Sequence, residues 1–248
     1  MGSSTINGIA PFTFYGDLLG IASAYRLSAD VAHKKLDTFY NTVFRTLGSR
    51  CEQQHGRIHV QLFSDSVVIW GRSAVEILEP LQDVYLDLIS QNLLLRGALV
   101  DGALEKEPRV EVKHFRKFLP SNDTLARAVG LEKTAKGARL LIESSLAHKL
   151  LAGHEKWLTL EGYIGQPYPD VPLASPLRRI CPSPSGTCYE LLYFWRRPST
   201  TQAGIENGTI ADRIKEVAEF QDAEVALHLR ETLKILKRSE IRSRHPVN

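Results

Sequence analysis

Residues 57–70 read RIHVQLFSDSVVIW, and this stretch limits the possible folds more than any other. Ile58, Val60 and Leu62 alternate with polar neighbours, the pattern of a strand with one buried face. Ser66 to Trp70 is a second run of β-branched and aromatic residues, and Ser64-Asp65 joins the two. Two such runs with so short a connection pair as an antiparallel hairpin. The Asp65 carboxylate then stands at its tip.

The flanking segments fix what surrounds the hairpin. Phe12 to Tyr15 reads as a strand that ends at Gly16-Asp17. Ser28 caps a helix running to about Gln53, with Val31, Leu36, Phe39, Tyr40, Val43, Phe44 and Leu47 as its core face. Ser73 caps a second helix over 74–90, with Val75, Leu78, Leu81, Val84, Tyr85 and Leu88 inward. Residues 93–104 form a strand containing Arg96-Gly97-Ala98. Residues 124–151 read as a helix pair broken near Gly130 and Gly137. The proline-rich stretch 165–186 reads as a loop, 188–195 as a late strand, and 209–242 as a long, charged, amphipathic helix. This order predicts an α+β protein with a ferredoxin-like βαββαβ core and an extra C-terminal strand and helix. The expected boundaries are a domain over 9–197 and a C-terminal helical extension over 198–248.

Composition narrows the function. The net charge of +3 is too mild to argue for nucleic-acid binding, and Glu231 and Glu240 interrupt the basic residues near the C-terminus. Cys51, Cys181 and Cys188 are odd in number and show no CxxC spacing, which argues for a reducing compartment and no zinc site; a Cys181–Cys188 bridge across a loop is the less favoured alternative. The first eight residues lack the basic and apolar regions of a signal peptide, and 191–195 is far shorter than the ~20 residues a membrane helix needs. A cytoplasmic protein without membrane or nucleic-acid partners is expected.

Asp17 and Asp65 carry the chemistry. Each ends a strand or tips a hairpin, and each is framed by small residues: Gly16, Ser64 and Ser66. In a βαββ core the first strand lies beside the hairpin, so both carboxylates reach one edge of the sheet. Two adjacent carboxylates repel and favour divalent cations between them, and an oxygen donor set suits Mg²⁺ or Mn²⁺. The Leu18 carbonyl is a further metal donor. The amides of Leu19, Gly20 and Ile21 are candidates for facing phosphate oxygens, with Gly20 allowing close approach.

Tyr15-Gly16-Asp17-Leu18-Leu19-Gly20 and Phe63-Ser64-Asp65-Ser66 resemble the two metal-aspartate motifs of class III nucleotidyl cyclases. Leu95 to Leu99 resembles that family's arginine-bearing fourth strand, and residues 135–143 (AKGARLLIE) resemble the helix whose arginine stabilises the transition state. The DLLG and FSDS forms look most like the pyrimidine cyclases of bacterial Pycsar antiphage systems, whose cyclic product activates a separate effector. The position that reads the purine base in the family, four residues before the second aspartate, is Gln61 here. An amide both donates and accepts, so it fits either pyrimidine. The family's asparagine falls on Ala135.

The resemblance implies a homodimer with the site at its interface and two Mn²⁺ or Mg²⁺ ions held by Asp17, Leu18 and Asp65. The substrate is UTP or, second, CTP. Arg139 is either the transition-state ligand or one half of an ion pair. Arg96 binds phosphate or forms a salt bridge, and Phe12 and Phe14 belong to the core or stack on ribose or base. Lys133 and Lys136 are candidates for the triphosphate or for a solvated face. A nucleotide-sensing module without turnover is the competing reading.

Overall fold

The computed structural model describes residues 10–53, 57–107, 118–153, 177–183, 186–191, 211, 212, 214, 215 and 225–234. The elements are β1 (Phe12–Leu18), α1 (Ile21–Leu27), α2 (Ala29–Gln53), β2 (Ile58–Phe63), β3 (Ser66–Gly71) and α3 (Val75–Ser90). They continue with β4 (Leu95–Asp101), α4 (Thr124–Glu132), β5 (Leu140–Glu143), α5 (Ser144–Gly153), β6 (Leu177–Ser183) and β7 (Gly186–Leu191). Residues 225–234 are helical as well.

The strands form a seven-stranded sheet in the order β2-β3-β1-β4-β5-β7-β6. Its first four strands are antiparallel neighbours, with β1 between β3 and β4. This is the ferredoxin-like order the sequence predicts. Beyond it, β5 joins β4 in parallel, and β7 and β6 extend the sheet antiparallel.

Alternation along β1 separates two faces. Phe12, Phe14 and Leu18 enter the main core with Phe39, Val43 and Leu47 of α2 and Leu78, Leu81, Tyr85 and Leu88 of α3. Tyr15 lies on the other face with Ala98, Leu141 and residues of α4. Gly16 and Gly97 are register partners, and the Phe14 ring lies across both. A Cβ on Gly97 would meet that ring at 2.5 Å, and one on Gly16 at 2.9 Å. The two glycines make room for one phenylalanine.

Several expectations are corrected. Ser28 accepts the Val31 N–H at the start of α2, as expected of a cap, but a separate short helix, α1, precedes it. On α2, Val31 and Phe44 are exposed at 36% and 73%, so the core face is narrower than the spacing implied. Residues 135–143 are no helix: a turn with Gly137 at φ 88° leads into β5. Part of the expected loop is strand β6, which lies at the sheet edge, where prolines are tolerated. Cys188 is buried against Leu141 and Ala98. Among the described residues no helix is long and apolar enough to cross a membrane. The expected late strand beyond Leu191 and much of the long C-terminal helix fall outside the described residues.

Candidate active site

β1 delivers Asp17 to the end of the sheet between two neighbours. Its register partners are Ser66 on β3 and Arg96 on β4. The Leu18 N–H donates to the Asp65 carbonyl at 2.7 Å, which ties the hairpin turn to the end of β1. Ser64 completes that turn in the left-handed region at φ 51°. The register and this bond bring the two aspartates to one place.

Their electrostatics show the proximity. Burial raises the Asp17 pKa above the ordinary carboxylate value, and the Asp65 charge raises it further. A hydrogen bond from Ser66 Oγ to Asp17 Oδ1 (3.1 Å) and the charge of Arg96 act in the opposite direction. Tyr15 Oη lies 3.1 Å from the same Ser66 hydroxyl. The phenol's pKa is raised by burial and by the charges of Asp17, Glu132 and Asp65.

A cavity of about 600 Å³ opens beside the pair. Asp17 and Asp65 line it together with Arg26, Lys35, Arg96 and Lys136. Two carboxylates facing four cations suit a polyanion that brings its own divalent cations. Leu18, Leu19 and Gly20 also line the cavity. Leu18 is 1% exposed and sits in the core, so it offers backbone there.

The donor set fits a hard cation. Asp17 and Asp65 supply oxygen only, and their mutual repulsion is what a bound divalent ion relieves. No group of three or more His, Cys, Asp or Glu side chains suited to a metal occurs among the described residues.

Other predicted site residues lie elsewhere or do other work. The Leu19 N–H is already spent on the Leu94 carbonyl (2.8 Å) and is not available to phosphate. Gly20, at φ 82°, caps α1 and accepts the Ala24 N–H. Phe14 is 0% exposed, packed across the glycines, and presents no surface to a ligand. Gln61 is on β2 at the sheet edge, paired with Val68, and is not among the residues lining the cavity. Arg139 is buried: its Nε donates to the Lys136 carbonyl (2.7 Å), Nη1 to Glu190 (2.7 Å) and Nη2 to Glu231 (3.2 Å). It is absent from the cavity lining in the single chain.

Sequence reasoning missed Glu132, the last residue of α4. It is 1% exposed and pairs with Arg96. Burial raises its pKa, with the nearby Arg96 opposing. The available signal was an acidic residue at a helix C-terminus, where the helix dipole disfavours it. The helix of 225–234 falls within the helix expected over 209–242, but its place in the site was missed: Val225, His228 and Leu229 form part of the cavity wall.

The adenylyl cyclase CyaB from P. aeruginosa superposes with a TM-score of 0.50 at 11% identity, over 74% of this chain and 93% of that one. This chain has the fold of that cyclase. Two further solved structures score lower. The guanylyl cyclase Cya2 gives 0.48 at 12% identity, over 73% of this chain and 91% of that one. The GTP-bound guanylate cyclase domain of RhGC from Catenaria anguillulae gives 0.47 at 12%, over 74% and 96%. No family model and no curated protein matches the sequence.

Proposed function

We propose that this protein is a nucleotidyl cyclase converting a pyrimidine nucleoside triphosphate, UTP before CTP, to the 3′,5′-cyclic monophosphate and pyrophosphate. The observation that carries the reading is the meeting of Asp17 and Asp65 beside a cation-lined cavity, in a chain with a cyclase fold. When bound at that pair, Mg²⁺ or Mn²⁺ would acidify the ribose 3′-hydroxyl and neutralise the phosphates. The Leu18 carbonyl is the backbone donor beside them.

The chain's own groups do the rest. Ser66 and Tyr15 hold the Asp17 carboxylate in one orientation. Arg96, steadied by Glu132, presents positive charge to the phosphates. Arg26, Lys35 and Lys136 supply the outer charge. No protein nucleophile is required. Tyr25, Leu27 and Val31, exposed at 52%, 78% and 36%, give α1 and the start of α2 an apolar surface beside the cavity, suited to a second copy. In this reading Gln61 meets the base in the dimer. The pyrimidine preference, and a role as antiphage second-messenger synthase acting through a separate effector in the cytoplasm, rest on the resemblance of the DLLG and FSDS motifs.

One observation favours a nucleotide-sensing module without turnover: Arg139, a candidate transition-state ligand, is buried and engaged by Glu190, Glu231 and a carbonyl. The two readings separate when purified protein is incubated with Mn²⁺ and each of the four ribonucleoside triphosphates, and products are identified by mass. A cyclic pyrimidine monophosphate is expected. Asp65→Ala keeps the fold and abolishes it. Binding without product from any of the four supports the sensing module, and product from Asp65→Ala at the wild-type rate removes the two-aspartate assignment.

A further inference from the structure

The turn of residues 136–139 is built around the helix of 225–234. A Cβ on Gly137 would meet Glu231 Cβ at 2.9 Å and the Thr232 backbone nitrogen at 3.0 Å, so the helix packs directly on this glycine. The Gly137 N–H donates to His228 Nδ1 (3.0 Å), and the Ala138 N–H donates to Thr232 Oγ1 (2.9 Å). Thr232 Oγ1 in turn donates to the His228 carbonyl (2.8 Å). Arg139 follows, paired with Glu231. Three successive residues of the turn are thus held by one helix far along the chain.

These contacts are built into the interior. His228 is 6% exposed and Thr232 0%. An N–H received at Nδ1 leaves the imidazole proton on Nε2, so the His228 ring sits in one neutral tautomer. Just ahead of the latched turn stands Lys136, which lines the cavity with the two aspartates and Arg96. Val225, His228 and Leu229 wall the same cavity.

We propose that the 225–234 helix is a positioning element of the nucleotide site. By latching Gly137 to Arg139, it holds Lys136 where its ammonium meets the phosphate tail of a metal-bound nucleoside triphosphate. The inference rests on the cyclase reading above. A lysine is a flexible point charge, so its value to a polyanion depends on where its backbone is fixed. Here the backbone is fixed by His228 and Thr232. Charge builds during reaction next to the breaking α–β bond and changes least at the far γ end, where Lys136 is placed, so loosening the latch raises KM more than it lowers kcat.

The test uses the full-length chain with Mn²⁺ and the triphosphate that turnover selects. Thr232→Val keeps the shape and removes the acceptor for the Ala138 N–H. Hydrogen exchange at Ala138 is expected to accelerate, with KM rising about fivefold and kcat falling less, as for one lost hydrogen bond. Lys136→Met raises KM roughly tenfold or more, as for a lost charge-assisted bond. Lys136 is exposed, so this variant folds and carries the test if Thr232→Val does not. Faster exchange at Ala138 with wild-type KM, or wild-type KM in Lys136→Met, overturns the proposal. If the wild type makes no cyclic product, the cyclase reading fails separately, and calorimetry with Mn²⁺ and inorganic pyrophosphate decides the inference. Weaker pyrophosphate binding by Lys136→Met upholds it; equal binding, or none by the wild type, ends it.

Discussion

The ion pair of Glu132 and Arg96 sets the site's electrostatics, and removing its carboxylate has a predictable cost. Glu132 is 1% exposed, and the Arg96 side chain is 12% exposed. Truncation to alanine leaves a guanidinium largely enclosed with its partner gone. Breaking a buried pair in this way costs about 3–5 kcal/mol. The lower end applies, because Arg96 also reaches the cavity and the Asp17 charge lies near it. We therefore expect Glu132→Ala to lose about 3 kcal/mol in urea denaturation, or roughly 6–12 °C in Tm for a chain of this size. The double variant Arg96→Met/Glu132→Leu replaces two charges by apolar groups and is expected within about 1 kcal/mol of wild type, since a buried pair adds little net stability. A loss below 1 kcal/mol in the single variant, or a double variant less stable than the single, would refute this account. The same single variant turns Arg96 toward Asp17, so Mn²⁺ affinity is expected to fall with it.

Three other outcomes follow from particular contacts. Gly97→Ala drives a methyl into the Phe14 ring and toward Tyr85 Oη (2.8 Å), and is expected to destabilise by about 1–3 kcal/mol in chemical denaturation. On α2, Phe39→Ala should cost about 3–5 kcal/mol and Phe44→Ala less than about 0.5, because the first ring is 0% and the second 73% exposed. Asp17 has a raised pKa in the fold, so its contribution to stability is present below the ordinary carboxylate range and lost as pH rises through its folded value. Without divalent cation, Asp17→Asn is therefore more stable than wild type at neutral pH, the gap closing in acid; Mn²⁺ stabilises the wild type alone, and equal Mn²⁺ shifts in Tm would contradict the metal assignment.

The parts of this fold legible in the sequence are those decided by neighbours in the chain. The hairpin follows from two alternating runs and a two-residue connection, and it alone puts Asp65 at a tip. Asp17 follows from the first strand, although β1 does not stop at Gly16 but carries on through Asp17 to Leu18. The helices α2 and α3 follow from apolar periodicity, although Val31 and Phe44 fit the spacing and still face solvent. Periodicity marks the residues able to face a core, and packing decides how wide that core is.

What was not legible is whatever depends on distant partners. The run of 140–142 is short and apolar, a pattern shared by helix and strand, and only pairing with β4 and β7 makes it β5. Once it is a strand, Arg139 stands at its entrance, where Glu190 from β7 and Glu231 from the C-terminal helix converge on it. Tyr85 then donates to the Arg139 carbonyl at 3.0 Å, fixing its backbone from the α3 side. An arginine recruited for catalysis must reach the substrate, and this one is buried, with its Nε, Nη1 and Nη2 each engaged within the chain and no place in the cavity lining. Arg96 is held by Glu132 and still reaches the cavity. Nearest to Asp17, the charge facing the cavity in the single chain therefore comes from Arg96 on the neighbouring strand, with Arg26, Lys35 and Lys136 further out, while Arg139 ties the C-terminal helix to the sheet through Glu231.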